Sequence, residues 1–153
     1  MKILNNHGQT LIEAMVALGV LAVVIGAIAM TTITGMNNSN FSKNQNLATQ
    51  YAQQGMDNLR QQSGSDWSTF DANSDGTYCL GLGSTTLTKP CAAVPNINGV
   101  FLRQVVINTP SPNCTAGKKV SVIVSWADGK CTAANRYCHN VTLDSCLAEI
   151  NNL

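Results

Sequence analysis
The chain has 153 residues, 11% of them charged, and a formal net charge of +1. That length suffices for one small domain and an anchor. The near-neutral balance excludes a strongly basic nucleic-acid surface and an acidic solvating tail. Residues 1–8 hold Lys2 as their one charged side chain, and without them basic and acidic side chains are equal in number. Such a surface suits a protein that packs against copies of itself.

Hydrophobicity is concentrated at the N-terminus. Only Lys2, Glu13, Lys43 and Asp57 are charged before Arg60, and residues 14–30, AMVALGVLAVVIGAIAM, carry no charge. About 20 apolar residues span a bilayer as a helix, so Thr10–Thr32 is long enough. Glu13 complicates that simple reading, because a carboxylate near the start of such a segment is costly in lipid and needs a partner. Lys2 is the one candidate in residues 1–35, and it lies beyond a turn-prone Asn5-Asn6-His7-Gly8. Three readings compete. A secretory signal peptide would use Lys2 as its n-region, residues 14–26 as its h-region and Ala27-Ile28-Ala29 as its cleavage site. An uncleaved signal anchor would hold Glu13 near the headgroups. The third reading follows from the order Gly8-Gln9-Thr10-Leu11-Ile12-Glu13 and the uncharged run after it.

That order resembles the type III signal of type IV prepilins and secretion-system pseudopilins. The resemblance implies a short leader, residues 1–8, cut after Gly8 by a dedicated prepilin peptidase, with Gln9 becoming the N-methylated terminus. Gln9 departs from the commoner Phe or Met. Glu13 falls on the family's glutamate, and Thr10, Leu11 and Ile12 stand as the family has them. In the family this carboxylate pairs with the terminal amine of a neighbouring subunit during assembly. Such a pair offsets part of the desolvation cost and favours one helix register.

The helical pattern continues past the apolar run. Phe41, Gln45, Ala48, Tyr51/Ala52, Gly55/Met56 and Leu59 form one apolar stripe, with Asn44, Gln50, Gln53, Gln54, Asp57 and Gln61 opposite. A secretory signal peptide has no reason to continue this way. Gly19, Gly26 and Gly35 interrupt the run, as helix-packing positions or as points that loosen when subunits leave the membrane. Ser63-Gly64-Ser65-Asp66-Trp67 reads as a helix end and loop, and residues 71–95 as irregular. Three strand-like runs follow, Val100–Asn108, Lys119–Trp126 and Arg136–Leu143, with Asp128-Gly129 in the last connection. The expected fold is α+β: a long N-terminal helix, hydrophobic and then amphipathic, packed on a small antiparallel sheet. The expected division is a leader at 1–8, a membrane or filament-core helix at 9–35, its amphipathic continuation at 36–62 and an extracellular head at 63–153. The pilin fold that the resemblance implies has this form.

All six cysteines follow residue 78 and none has C-x-x-C spacing, which points to disulfides outside the cytoplasm. In an antiparallel meander Cys114 precedes one strand and Cys146 follows its neighbour, so those two meet. Cys131 and Cys138 flank the connecting loop at the other end, and Cys79–Cys91 remains. Each bridge stabilises a small head by roughly 2–4 kcal/mol.

Other motifs carry less. Asp71, Asn73 and Asp75 match the first half of a calcium loop, but Leu82 stands where the closing Glu belongs, so a polar turn without a cofactor is the expectation. His139 beside Cys138 reads as an exposed or packed side chain, with metal ligation the lesser alternative. Arg103, Lys118, Lys119, Lys130 and Arg136 read as a solvated face, so DNA or surface binding is not indicated. No Ser-His-Asp set or carboxylate pair is readable, and no enzyme is expected. The resemblance implies as partners other pilin subunits, the prepilin peptidase, an inner-membrane assembly platform and, before assembly, the lipid bilayer. It implies a single-pass inner-membrane precursor that ends in an extracellular pilus or periplasmic pseudopilus. TLIEAMVALGVL and QNLATQYAQQGMDNLRQ look more like a minor pilin than a major one. The alternative is a signal-anchored extracytoplasmic ligand-binding domain that does not polymerise.

Overall fold
The structure, a computed structural model, describes residues 7–92, 97–109, 114 and 117–149, with side chains from Leu11 onward. The chain divides into two compact units, Met1–Phe41 and Ser42–Leu153. The first contains the start of helix α1, His7–Ser65. The second contains the rest of α1, a short helix α2 (Trp67–Asp71) and four strands: β1 (Gly76–Cys79), β2 (Phe101–Asn108), β3 (Lys118–Trp126) and β4 (His139–Leu147). The strands form one antiparallel sheet in the order β1-β2-β3-β4. The α+β architecture, with a long N-terminal helix packed on an antiparallel sheet, is pilin-like.

The core of the second unit follows from two periodicities meeting. Ala48, Ala52, Met56 and Leu59 recur at helical spacing and are buried. Val120, Val122, Val124 and Trp126 alternate along β3 and are buried with them. On β2 the same row is Phe101, Arg103, Val105 and Ile107, in register with Trp126, Val124, Val122 and Val120. Each fully buried aliphatic or aromatic side chain contributes about 1.5–3 kcal/mol. Gly55 brings helix and sheet together: a Cβ there would stand 3.1 Å from both Arg103 Cδ and Val122 Cγ1. At the start of β3, a Cβ on Gly117 would overlap the Leu147 carbonyl of β4, so that close approach requires glycine.

The disulfides join Cys79 to Cys91, Cys114 to Cys146 and Cys131 to Cys138. They lie at the ends of paired strands, where an antiparallel meander brings distant cysteines together.

Four features differ from the sequence expectation. Helix α1 runs through Gly19, Gly26 and Gly35 without a break and reaches Ser65. Burial of Leu59 and Ser63 carries the helix past its weak helix formers. Asp66 then caps α2 by accepting from the Thr69 N–H at 3.1 Å. Strand β1 lies inside the stretch read as irregular; four residues with one buried aromatic, Tyr78, are too short to show a period. Strand β4 begins at His139, because His139 pairs with Trp126 and the Cys131–Cys138 bridge closes just before it. Arg136 and Tyr137 therefore belong to the connection. Finally, Gly8 lies within the helix and not in a turn.

Candidate functional site
The N-terminal unit presents apolar side chains with nothing of its own to cover them. From Leu11 to Met36 no large hydrophobic side chain is less than 48% exposed. At 1.5 Å per residue this stretch is about 39 Å long, enough for a hydrocarbon layer of about 30 Å with some tilt. It is the one helix among the described residues long and apolar enough to cross a membrane. Glu13 is exposed near its start, the single charged side chain between Leu11 and Ser42. Leu11 and Ile12 are exposed beside it. The backbone of Gly8, Gln9 and Thr10 is helical, but their side chains lie outside the described residues, as does the whole of Lys2. Toward the end of this stretch the hydroxyls of Thr31 and Thr32 donate to the Ile28 carbonyl, and Thr34 donates to Met30. These polar groups are thus satisfied within the helix, as a low-dielectric medium demands.

Residues 3–29 match the family model of the prokaryotic N-terminal methylation motif. The N-terminal segment is prepilin-like. The motif is the hallmark of type IV prepilins and pseudopilins, and with the apolar helix it fits a pilin-like substrate of a prepilin peptidase that is membrane-anchored as a precursor. The family's members are structural subunits, and other pilin subunits are the partners the motif implies. No curated protein and no solved structure matches the chain.

The head of this chain holds two cations where a solvated face was expected. Arg103 is fully buried. Its Nε donates to the Leu80 carbonyl and one Nη to the Tyr51 carbonyl, each at 2.9 Å, and the other Nη donates to Gly81. Gln54 Oε1 accepts at 3.3 Å. Burial pushes its pKa down to about 10, which leaves it charged at neutral pH. One side chain thus ties α1, the loop after β1 and the sheet to each other. The signal was present in the sequence: Arg103 shares the alternation of Phe101, Val105 and Ile107.

Lys118 is the second buried cation. Its ammonium donates to the carbonyls of Asp71 and Asn73 and lies 3.4 Å from the Asp71 carboxylate. The calcium-like loop is engaged throughout by protein groups. Asn73 Nδ2 donates to the Phe70 carbonyl at 2.9 Å, and Asp75 Oδ2 accepts from the Thr109 N–H at 3.1 Å. Lys89 Nζ donates to the Asp75 carbonyl at 2.9 Å. Asp71, Asn73 and Asp75 thus turn to three different partners. Asp66 holds its carboxyl down to about 2, first through the hydroxyls of Thr69 and Ser68 and then through the Thr69 N–H.

Proposed function
We propose that this chain is a structural subunit, of the minor pilin kind, of a type IV pilus or related pseudopilus. The observation that supports this reading is the pairing of an N-terminal methylation motif with an apolar helix that its own unit leaves uncovered from Leu11 to Met36. The peptidase cuts between Gly8 and Gln9, and the new amine of Gln9 is the group that Glu13 of a neighbouring subunit pairs with. In low dielectric such a pair favours the register in which it forms over all others. Before assembly the bilayer covers the helix; after extraction by an inner-membrane assembly platform, neighbouring helices do. The sequence resemblance of residues 10–21 and 45–61 to minor pilins is what favours the minor role.

Two measurements test this. Intact mass of the chain made with and without a prepilin peptidase should differ by residues 1–8. Glu13→Ala should leave that processing intact while lowering recovery in sheared filaments about tenfold, equivalent to 1.4 kcal/mol. A signal-anchored, non-polymerising domain would show neither the trimming nor the assembly loss.

A further inference from the structure
The connection between β3 and β4 gathers four metal-ligating side chains. Asp128 follows Trp126 by two residues, and His139 is paired across the sheet with Trp126. The bridge between Cys131 and Cys138 brings both sulfurs to the same end. One ligand atom from each of Asp128, Cys131, Cys138 and His139 lies within 4.8 Å of all the others, and all four residues are half-buried. His139 Nε2 is 2.9 Å from Asp128 Oδ2. The Asp128 N–H donates to Cys131 Sγ at 3.3 Å, and the Lys130 N–H fixes Asp128 Oδ1 at 2.8 Å. The Trp126 ring packs against the imidazole with centroids 5.4 Å apart.

We propose that the β3–β4 connection is a redox-gated zinc site, in which the reduced pair Cys131 and Cys138 binds Zn²⁺ together with His139 and Asp128. Two thiolates, one imidazole and one carboxylate are the ligand types zinc takes in tetrahedral sites. Zinc–ligand bonds of about 2.0–2.3 Å place such ligands about 3.3–3.8 Å apart, so separation of the two sulfurs and closure of the widest spacings by about 1–1.5 Å complete the shell. Backbone N–H donors to Cys131 and Asp128 already orient two of the four.

The redox step balances with a dithiol. A thiolate of the reductant attacks the Cys131–Cys138 bond, its second thiol resolves the mixed disulfide, and the reductant leaves as its own disulfide. Zinc binding then releases the two cysteine thiol protons to solvent, while neutral His139 donates a ring nitrogen lone pair. Reoxidation by a disulfide expels the metal, because the same sulfurs cannot hold both bonds. This bridge is the one best suited to opening. It closes a loop of sequence separation 7, against 12 and 32 for the others, so it contributes least through loop closure. Both its cysteines are half-buried, as are Cys79 and Cys91, so the short loop is what sets this bridge apart. In either state the loop stays cross-linked, by sulfur or by metal. The proposal is independent of the filament reading.

Cobalt tests it, with the full-length chain in detergent micelles. In a phosphine-reduced sample, Co²⁺ should bind at one equivalent with the intense visible bands of tetrahedral thiolate ligation. Zn²⁺ should bleach them, and the oxidised chain should show none. His139→Gln should weaken binding tenfold or more, and His139→Cys should restore it with shifted bands. Cys79→Ser/Cys91→Ser should change nothing. In alkylation mapping, zinc should protect Cys131 and Cys138 selectively. The proposal is overturned by absence of the bands in the reduced chain, by their persistence in Cys131→Ser/Cys138→Ser, by unchanged affinity in His139→Gln, or by protection spread over all six cysteines.

Discussion
The unit Met1–Phe41 and the unit Ser42–Leu153 share one helix and use it in opposite ways. In the first, apolar residues lie on every side of the helix and stay exposed. In the second, the apolar residues form a stripe, and that stripe is covered by β2 and β3. The first unit is complete only in an apolar medium or against other helices; the second carries its own core. Secondary structure alone does not tell the two apart. What differs is whether the sequence supplies a second layer for the helix to bury against.

The comparison is broken or sharpened by four substitutions, taken from the largest expected effect downward. Arg103→Met should destabilise the head most, by about 3 kcal/mol, because it strands the carbonyls of Tyr51, Leu80 and Gly81. The denaturant midpoint of the head, followed by Trp126 fluorescence in the full chain, measures it. An unchanged midpoint would mean that those carbonyls find water easily and that the cation does not hold the layers together.

Next come two glycines of the same helix. Gly55→Val should cost about 2 kcal/mol through overpacking against Arg103 and Val122. Gly26→Ala meets nothing within 4 Å and should leave that midpoint where it is, while favouring the helix by up to about 1 kcal/mol. If the two shifted head melting equally, the division into two units would fail.

The smallest effect concerns acid. Asp66 titrates at about 2 in the folded head, below its ordinary 3.8. A depressed folded value gives stability that is present above about pH 4 and is lost as pH falls toward 2. Asp66→Asn can still cap α2 but removes this term. Its melting temperature should therefore fall less steeply than that of the natural chain between pH 4 and 2. Equal slopes would show that the capping bonds do not depend on charge.

Much of this was legible in the residues because it is local or strictly periodic. Gly8 and Glu13 stand five residues apart before an uncharged run, and no folding is needed to see that the run requires an apolar surrounding. Residues 48–59 and 120–126 show their periods openly. Strand order then determined which cysteines meet. Less visible were β1, too short for a period, and the start of β4, set by a cross-strand pair and a bridge. The roles of Arg103 and Lys118 were less visible, because charged side chains are seldom buried; Arg103 differs in sitting within an apolar alternation.

By itself, then, the sequence determined an apolar N-terminal segment with one carboxylate, an N-terminal methylation motif and a disulfide-bonded head built on β2, β3 and β4. Only the tertiary structure decided where the cations go and which polar groups they satisfy. It also decided that Asp128, Cys131, Cys138 and His139 converge at one point. The reason is physical: a period along the chain shows which side of an element is apolar, whereas the partner of a buried charge or a ligand is set by register between elements. That register exists only once β3 and β4 are paired.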